Sequence, residues 1–283
     1  MFVLVSVLLI SANLGFSKGH DDHDDAAPVQ SGYAIVTPVT TTTSNLTTGL
    51  VVFETFGLRN SAADAAQAGA FPPNLTTHAL LFVDSEGRLS KNLGVAIVNP
   101  NSSNANVTLT LRKADGTQLA TTTLTVPALH QMSEFVTQLF SSGKSIPRDV
   151  TGTLDITSES AFSVIGLRFR GKQFSTLPAT DLTAAALPSI TTTTGTGTAT
   201  IGGANGVLLP QYAAYGGWAT ELVLMNNNSS GPLTVRVDLF KQDGTPLSTS
   251  LNGQKNSSFT NMSIPANGVV ILAPRDADGD DDF

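Results

Sequence analysis

Three groups of side chains in this 283-residue chain have types and spacings that do chemistry elsewhere. The first is aromatic. Tyr212, Tyr215 and Trp218 fall close together in QYAAYGGWATE, and Trp218 is the only tryptophan. Flat rings with polar tips stack on sugars, so this run is the candidate glycan platform, although such residues also serve as core or interface anchors. The second is acidic. Asp276, Asp278 and Asp280 in DADGDDD put carboxylates at alternate positions, as calcium loops do. The run departs from the EF-hand pattern: Gly279 falls at its fourth position and no bidentate Glu follows, so a solubilising tail competes with a Ca2+ site. The third is His20 and His23 in HDDHDD, a weak divalent-cation pattern inside a self-repelling charge run.

Hydrolytic chemistry finds little to build on. His78 and His130 stand apart in sequence from any recognisable Ser or Asp arrangement. Ser141–Lys144 (SSGK) matches S-x-x-K, a four-residue pattern of little weight in a Ser-rich chain. The sequence has no nucleophile elbow, phosphate loop or HExxH, and no cysteine for thiolate, zinc-finger or iron–sulfur chemistry. The expectation is a non-enzymatic protein with no cofactor beyond calcium. Asn-x-Ser/Thr acceptor patterns begin at Asn45, Asn74, Asn101, Asn106, Asn227, Asn228, Asn256 and Asn261. In a glycosylating host these mark exposed loops of an exported chain.

Charge narrows the partners. The net charge is −7, but nine of the 22 acidic residues lie in the tails Asp21–Asp25 and Asp276–Asp282. The body is left almost neutral, with no Lys/Arg cluster of the kind nucleic acid requires, so nucleic acid is excluded as a partner. Charged residues make up 13% of the chain, about half the usual share, so Thr, Ser, Asn and Gln must wet the surface. Residues 1–17 open with the apolar run MFVLVSVLLISANLGF and read as a signal-like leader, with a cut expected after Ser17 or Gly19. No Lys or Arg precedes that run, which leaves an uncleaved anchor or an upstream start as alternatives. The expected location is extracellular or at the cell surface.

The elements that position these residues read as strands between turns. Alternating or β-branched runs fall at 33–37, 50–53, 79–83, 94–98, 107–111, 121–126, 153–156 and 163–169, and again at 207–209, 221–225, 233–240, 259–264 and 269–272. Met132–Phe140 has apolar residues at helical spacing, and Ser61–Ala70 is a small-residue stretch of weak helical or loop character. Asp115-Gly116 and Asp243-Gly244 mark two hairpin turns. Segments follow: acidic tail 18–30, hairpin 31–75, sandwich 76–187, Thr/Gly-rich linker 188–204, half-sandwich 205–275 and acidic tail 276–283.

An internal repeat organises the strands. Asn99–Ala105 (NPNSSNA) matches Asn226–Pro232 (NNNSSGP), and Val107–Leu119 (VTLTLRKADGTQL) matches Val235–Leu247 (VRVDLFKQDGTPL). Val126-Pro127-Ala128 then answers Ile264-Pro265-Ala266 after a ten-residue expansion of the later copy. A second, weaker repeat joins Gly32–Thr37 (GYAIVT) to Gly152–Thr157 (GTLDIT), and Gly49–Phe53 to Gly166–Phe169. Residues 205–275 thus hold only the first half of a sandwich, and an open edge invites another strand.

Through Gly32–Thr37, Asn99-Pro100, Asp115–Leu119, Phe135–Phe140 and Gly152–Leu177, the chain resembles tandem immunoglobulin-like sandwich repeats of bacterial secreted and cell-surface proteins, over residues 31–275. The resemblance implies scaffolding or adhesion and carries no catalytic residue. The expected fold is therefore all-β: two immunoglobulin-like antiparallel sandwiches, the C-terminal one completed by N-terminal strands within the chain or by strand exchange. The expected function is a structural subunit of an extracellular filament or surface assembly, partnered by itself or by other surface proteins. The alternative is a carbohydrate-binding adhesin or accessory module with glycans as partners.

Overall fold

The computed structural model describes residues 3–7, 31–37, 51–59, 65–140, 146–171, 173–183, 207, 209–215 and 219–274. The chain is nearly all β, with antiparallel sheets, and divides into two units. One comprises Met1–Arg112 and Gln118–Thr183; the other comprises Lys113–Thr117 and Ala184–Phe283.

The first unit contains β1 (Val3–Val7), β2 (Gly32–Val36), β3 (Glu54–Arg59), β4 (Ala65–Ala70), β5 (Thr76–Ser85), β6 (Lys91–Asn99), β7 (Ala105–Lys113), β8 (Gln118–Val126), β9 (His130–Phe135), α1 (Val136–Leu139), β10 (Val150–Arg170), β11 (Gln173–Pro178) and β12 (Thr180–Asp181). Its organising element is β10, 21 residues long. Val150–Thr157 pairs with β5, the register shifts between Thr157 and Phe162, and Ser163–Arg170 pairs with β6. The bulge bends the strand so that it serves two sheets. One runs β12-β5-β10-β7-β8 and the other β11-β10-β6-β9.

Between the sheets lies a cluster of nineteen buried residues, among them Leu81, Ile97, Leu109, Leu154 and Phe162. β7 shows how the sequence builds it. Ala105, Val107, Leu109 and Leu111 turn inward and are buried, while Thr108 and Thr110 face Thr123 and Thr121 across the pair at 3.1 and 3.4 Å. Cross-strand Thr pairs stabilise the outer face without charge, which accounts for the low charge content. β6 is buried on both faces: Ala96 joins Ile165 and Leu167 in a second cluster, against which Ala70, Phe169 and Phe174 pack. Thr176 Oγ1 donates to the Gly69 carbonyl at 2.7 Å, tying β4 to β11.

The second unit contains β13 (Leu222–Met225), β14 (Leu233–Asp238), β15 (Thr249–Leu251), β16 (Gln254–Asn256), β17 (Ser258–Ile264) and β18 (Val269–Leu272). Among the described residues these make three two-stranded sheets, β13-β18, β14-β17 and β15-β16. Their core is five buried residues, Leu222, Leu239, Leu251, Phe259 and Leu272.

Several expectations need correction. Met132–Phe135 is strand, because Met132 stands opposite Ile97 and Phe135 opposite Gly94; only Val136–Leu139 is helical. Ala65–Ala70 is strand β4, imposed by pairing with β3 from Glu54↔Ala70 to Arg59↔Ala65. Residues 51–53 are irregular and the strand begins at Glu54, and 207 and 209 are not strand. Within one chain β2 pairs with β1 and β3 with β4, all inside the first unit. The apolar Val3–Val7 run meets the edge of β2 in register from Val3↔Val36 to Val7↔Gly32. The tails 18–30 and 276–283 and the linker 188–204 lie outside the described residues.

Candidate strand-docking edge

The sequence repeat is a structural repeat, and it begins at a buried asparagine. Asn99 ends β6, and its Nδ2 donates toward the carbonyls of Ser103, Val126 and Pro127 at 2.8, 3.0 and 3.0 Å. Its Oδ1 accepts the Asn101 amide at 3.0 Å. Asn226, one residue past β13, repeats each bond: Nδ2 donates toward Gly231, Ile264 and Pro265 at 3.1, 3.2 and 3.0 Å, and Oδ1 accepts the Asn228 amide at 2.9 Å. Each side chain thus satisfies loop carbonyls that burial has cut off from water. The loop that follows returns alike in both copies. Leu129 and Asn267 both adopt left-handed backbone, at φ 58° and 53°, and their amides donate to the carbonyls of Asn101 and Asn228.

The hairpin turns also correspond. Asp115 Oδ1 accepts the amide and hydroxyl of Thr117, and Asp243 Oδ1 accepts those of Thr245, the latter at 2.9 and 2.6 Å. The Thr hydroxyl, then the Thr amide, hold both carboxylates below their usual range. Gly116 and Gly244 sit at φ 85° and 79°, where a side chain is strained.

The register carries the correspondence through the strands. Ala105 stands opposite Val126 as Leu233 does opposite Ile264, and Val98 opposite Gln131 as Met225 does opposite Val269. Thus β6, β7, β8 and β9 answer β13, β14, β17 and β18. The expansion in the later copy is the β15-β16 hairpin.

The copies differ in what covers them. In the first unit β10 pairs with both β6 and β7, and Val95, Ala96, Ile97, Val107 and Leu109 are 0% exposed. In the second, β13 and β14 each have one partner among the described residues. Val223, Leu224, Val235 and Val237 are half-buried, and Leu233, which answers the buried Ala105, is 48% exposed. The apolar pattern prepared for a covering strand is present on β13 and β14, and the covering strand is not among the described residues. That edge is the candidate site.

The chemistry-bearing residues are placed as follows. Tyr212 packs against the second unit's cluster, and burial raises its hydroxyl pKa, partly offset by a hydrogen bond with Thr249. Tyr215 is 61% exposed, and its hydroxyl donates to the Ser248 carbonyl at 3.3 Å. Both tyrosines therefore reach the Ser248–Thr249 segment, one as a core residue and one on the surface; Trp218 lies outside the described residues. So do His20, His23, Ser141–Lys144, Asn45, Asp276, Asp278 and Asp280. His78 Nε2 lies 3.2 Å from Asp155 Oδ1, and His130 Nδ1 lies 2.7 Å from the Ala128 carbonyl. Among the described residues, no three His, Asp or Glu side chains converge as metal ligands.

Of the acceptor asparagines, Asn74, Asn106, Asn227, Asn228, Asn256 and Asn261 are exposed. Asn101 is half-buried, and its Nδ2 donates to Asn99 Oδ1 at 2.7 Å and to the Ala161 carbonyl at 2.8 Å. Sequence reasoning missed Asn99 and Asn226 as the side chains that hold each repeat, although both head the matched NPNSSNA and NNNSSGP runs. It also missed Glu54, whose Oε2 is buried without a hydrogen-bond partner and whose pKa burial raises to about 7.

An apolar cleft of about 310 Å³ lies in the first unit, lined by Phe71, Pro72, Pro73, Val164, Ile165 and Pro178 among others. Its carboxylate, Asp181, is spent on internal bonds: Oδ1 accepts from the Thr76 hydroxyl at 2.6 Å and from the Thr183 amide and hydroxyl at 2.9 and 2.7 Å.

No protein-family model matches the chain, and no curated protein matches it. Among solved structures it is similar to the Anabaena sensory rhodopsin transducer, at 22% identity and a TM-score of 0.28, over 32% of this chain and 95% of that one. It is also similar to Thermotoga maritima 1070, at 14% identity and a TM-score of 0.29, over 38% of this chain and 92% of that one.

Proposed function

We propose that this is a non-enzymatic, exported structural protein whose copies join by β-strand complementation into an extracellular filament or surface assembly. The observation that supports the reading is the contrast between the two copies of the repeat. Positions 107 and 109 are 0% exposed under β10, and their counterparts Val235 and Val237 are half-buried on a strand with one partner among the described residues. Half-covered apolar strands with unpaired backbone are a template for a further strand, and a heterologous, head-to-tail contact of that kind extends without closing. On this reading both units are immunoglobulin-like sandwiches, the second completed between molecules.

The leader supports export, and it bears on assembly as well. β2 takes its backbone partner from Val3–Val7, so removal of residues 1–17 leaves β2 with an unpaired edge. The partners are further copies of the chain or other surface proteins. The test is sedimentation and negative-stain microscopy of the secreted protein across a hundredfold range of concentration. Growth into linear or sheet-like assemblies is expected; monodisperse monomers throughout would refute the proposal.

A further inference from the structure

We infer that β2 of one copy occupies, in a second copy, the place beside β14 that β10 occupies beside β7. The inference rests on the assembly reading above and names its two surfaces. In the first unit the strand that covers the repeat is β10, whose Leu154 and Ile156 are fully buried. Gly32–Thr37 (GYAIVT) matches Gly152–Thr157 (GTLDIT) in that strand, which sets Ala34 and Val36 at the positions of Leu154 and Ile156. The chain therefore carries a second version of the strand its second unit lacks. It lies in β2, where Ile35 is 45% exposed.

Two features of β2 decide the occupant. Its backbone partner is β1, in the leader-like run, so export frees that edge. The Tyr33 hydroxyl donates to the Leu129 carbonyl at 2.9 Å, a contact with the first unit that does not depend on the leader-like run. A strand tethered there to its own first unit offers its freed edge to another molecule. Each copy then has a strand to give and the β14 edge to fill, and the contact repeats from copy to copy.

The chain has no cysteine, so introduced thiols report contacts without background. Two full-length proteins are mixed under mild oxidation, one with Ala34→Cys and the other with Val235→Cys or, separately, Val237→Cys. All carry Val5→Pro, because proline cannot donate to the ladder and so releases β2 from β1. The control partner is Thr110→Cys, on the outer face of β7. Heterodimer through residues 34 and 235 or 237 should form at least tenfold faster than through 34 and 110. Equal rates would overturn the inference, as would an Ala34→Cys/Val235→Cys double variant that closes on itself as a monomer at high dilution. Assemblies that form without either bond refute this strand assignment alone, whereas monomers at every concentration refute the assembly reading with it.

Discussion

Removing the Asn226 side chain should destabilise the second unit and leave the first unchanged. Asn226 is 3% exposed, and its Nδ2 and Oδ1 serve four backbone groups, the carbonyls of Gly231, Ile264 and Pro265 and the amide of Asn228. An alanine leaves those groups short of partners in a loop that water reaches poorly. Two N–H donors and one accepted amide, at about 1 kcal/mol each, put the loss near 3 kcal/mol. For a unit of this size that is a fall in melting temperature of roughly 12–24 °C. Calorimetry of the full chain should show two transitions, the lower from the unit with five core residues and the higher from the unit whose main cluster has nineteen. Asn226→Ala should move the lower alone, and Asn99→Ala the higher alone, by a similar free energy. Asn226→Asp keeps the volume and the acceptor but loses both donors, so it should cost about as much as alanine. A shift under about 3 °C, or both transitions moving together, would refute the equivalence of the two asparagines.

Phe162→Ala removes a ring that is 0% exposed where β10 crosses between sheets, and should destabilise the first unit by about 3–5 kcal/mol in denaturant unfolding. Glu54 has a folded pKa of about 7, above the ordinary 4.5, so the folded chain prefers its protonated form. The first unit should therefore lose stability as pH rises from about 4.5 to about 7 and show no further loss from this group above that. Glu54→Gln should flatten the trend, and an unchanged pH profile would count against the buried carboxyl. When the protein is secreted by a glycosylating host, peptide mass spectrometry should find sugar at exposed Asn106 or Asn227 and none at Asn101, whose amide group is tied to Asn99 and Ala161.

The parts of the fold that local chemistry dictates are the parts the sequence makes legible. An Asp-Gly-Thr turn needs only its own residues, so the matched turns at 115–117 and 243–245 announce matched hairpins, and the offset between 126 and 264 announces the extra β15-β16 pair. What depends on distant partners is not legible. Residues 153–156 and 163–169 read as two strands because Ser158, Glu159 and Ser160 interrupt the apolar run, yet a bulge carries one strand through. Ala65–Ala70 has no β-branched residue, and only β3 makes it a strand. Met132 and Phe135 have helical spacing, but a free edge of β6 claims them. Val3–Val7 reads as leader, and its pairing with β2 is not legible because it depends on a strand some thirty residues away. The candidate edge was legible as an imbalance in the repeats, and the two asparagines were not, since a buried amide and a loop amide look alike in sequence.

Amide hydrogen exchange on the protein with Val5→Pro, run at low and at assembling concentration, tests most directly whether β14 awaits a strand. The amides of β14 that are not bonded to β17 should exchange freely when dilute and become protected on assembly, while those of β6 and β7 stay protected throughout. Equal protection of β14, β6 and β7 at every concentration would mean that the second unit is already covered.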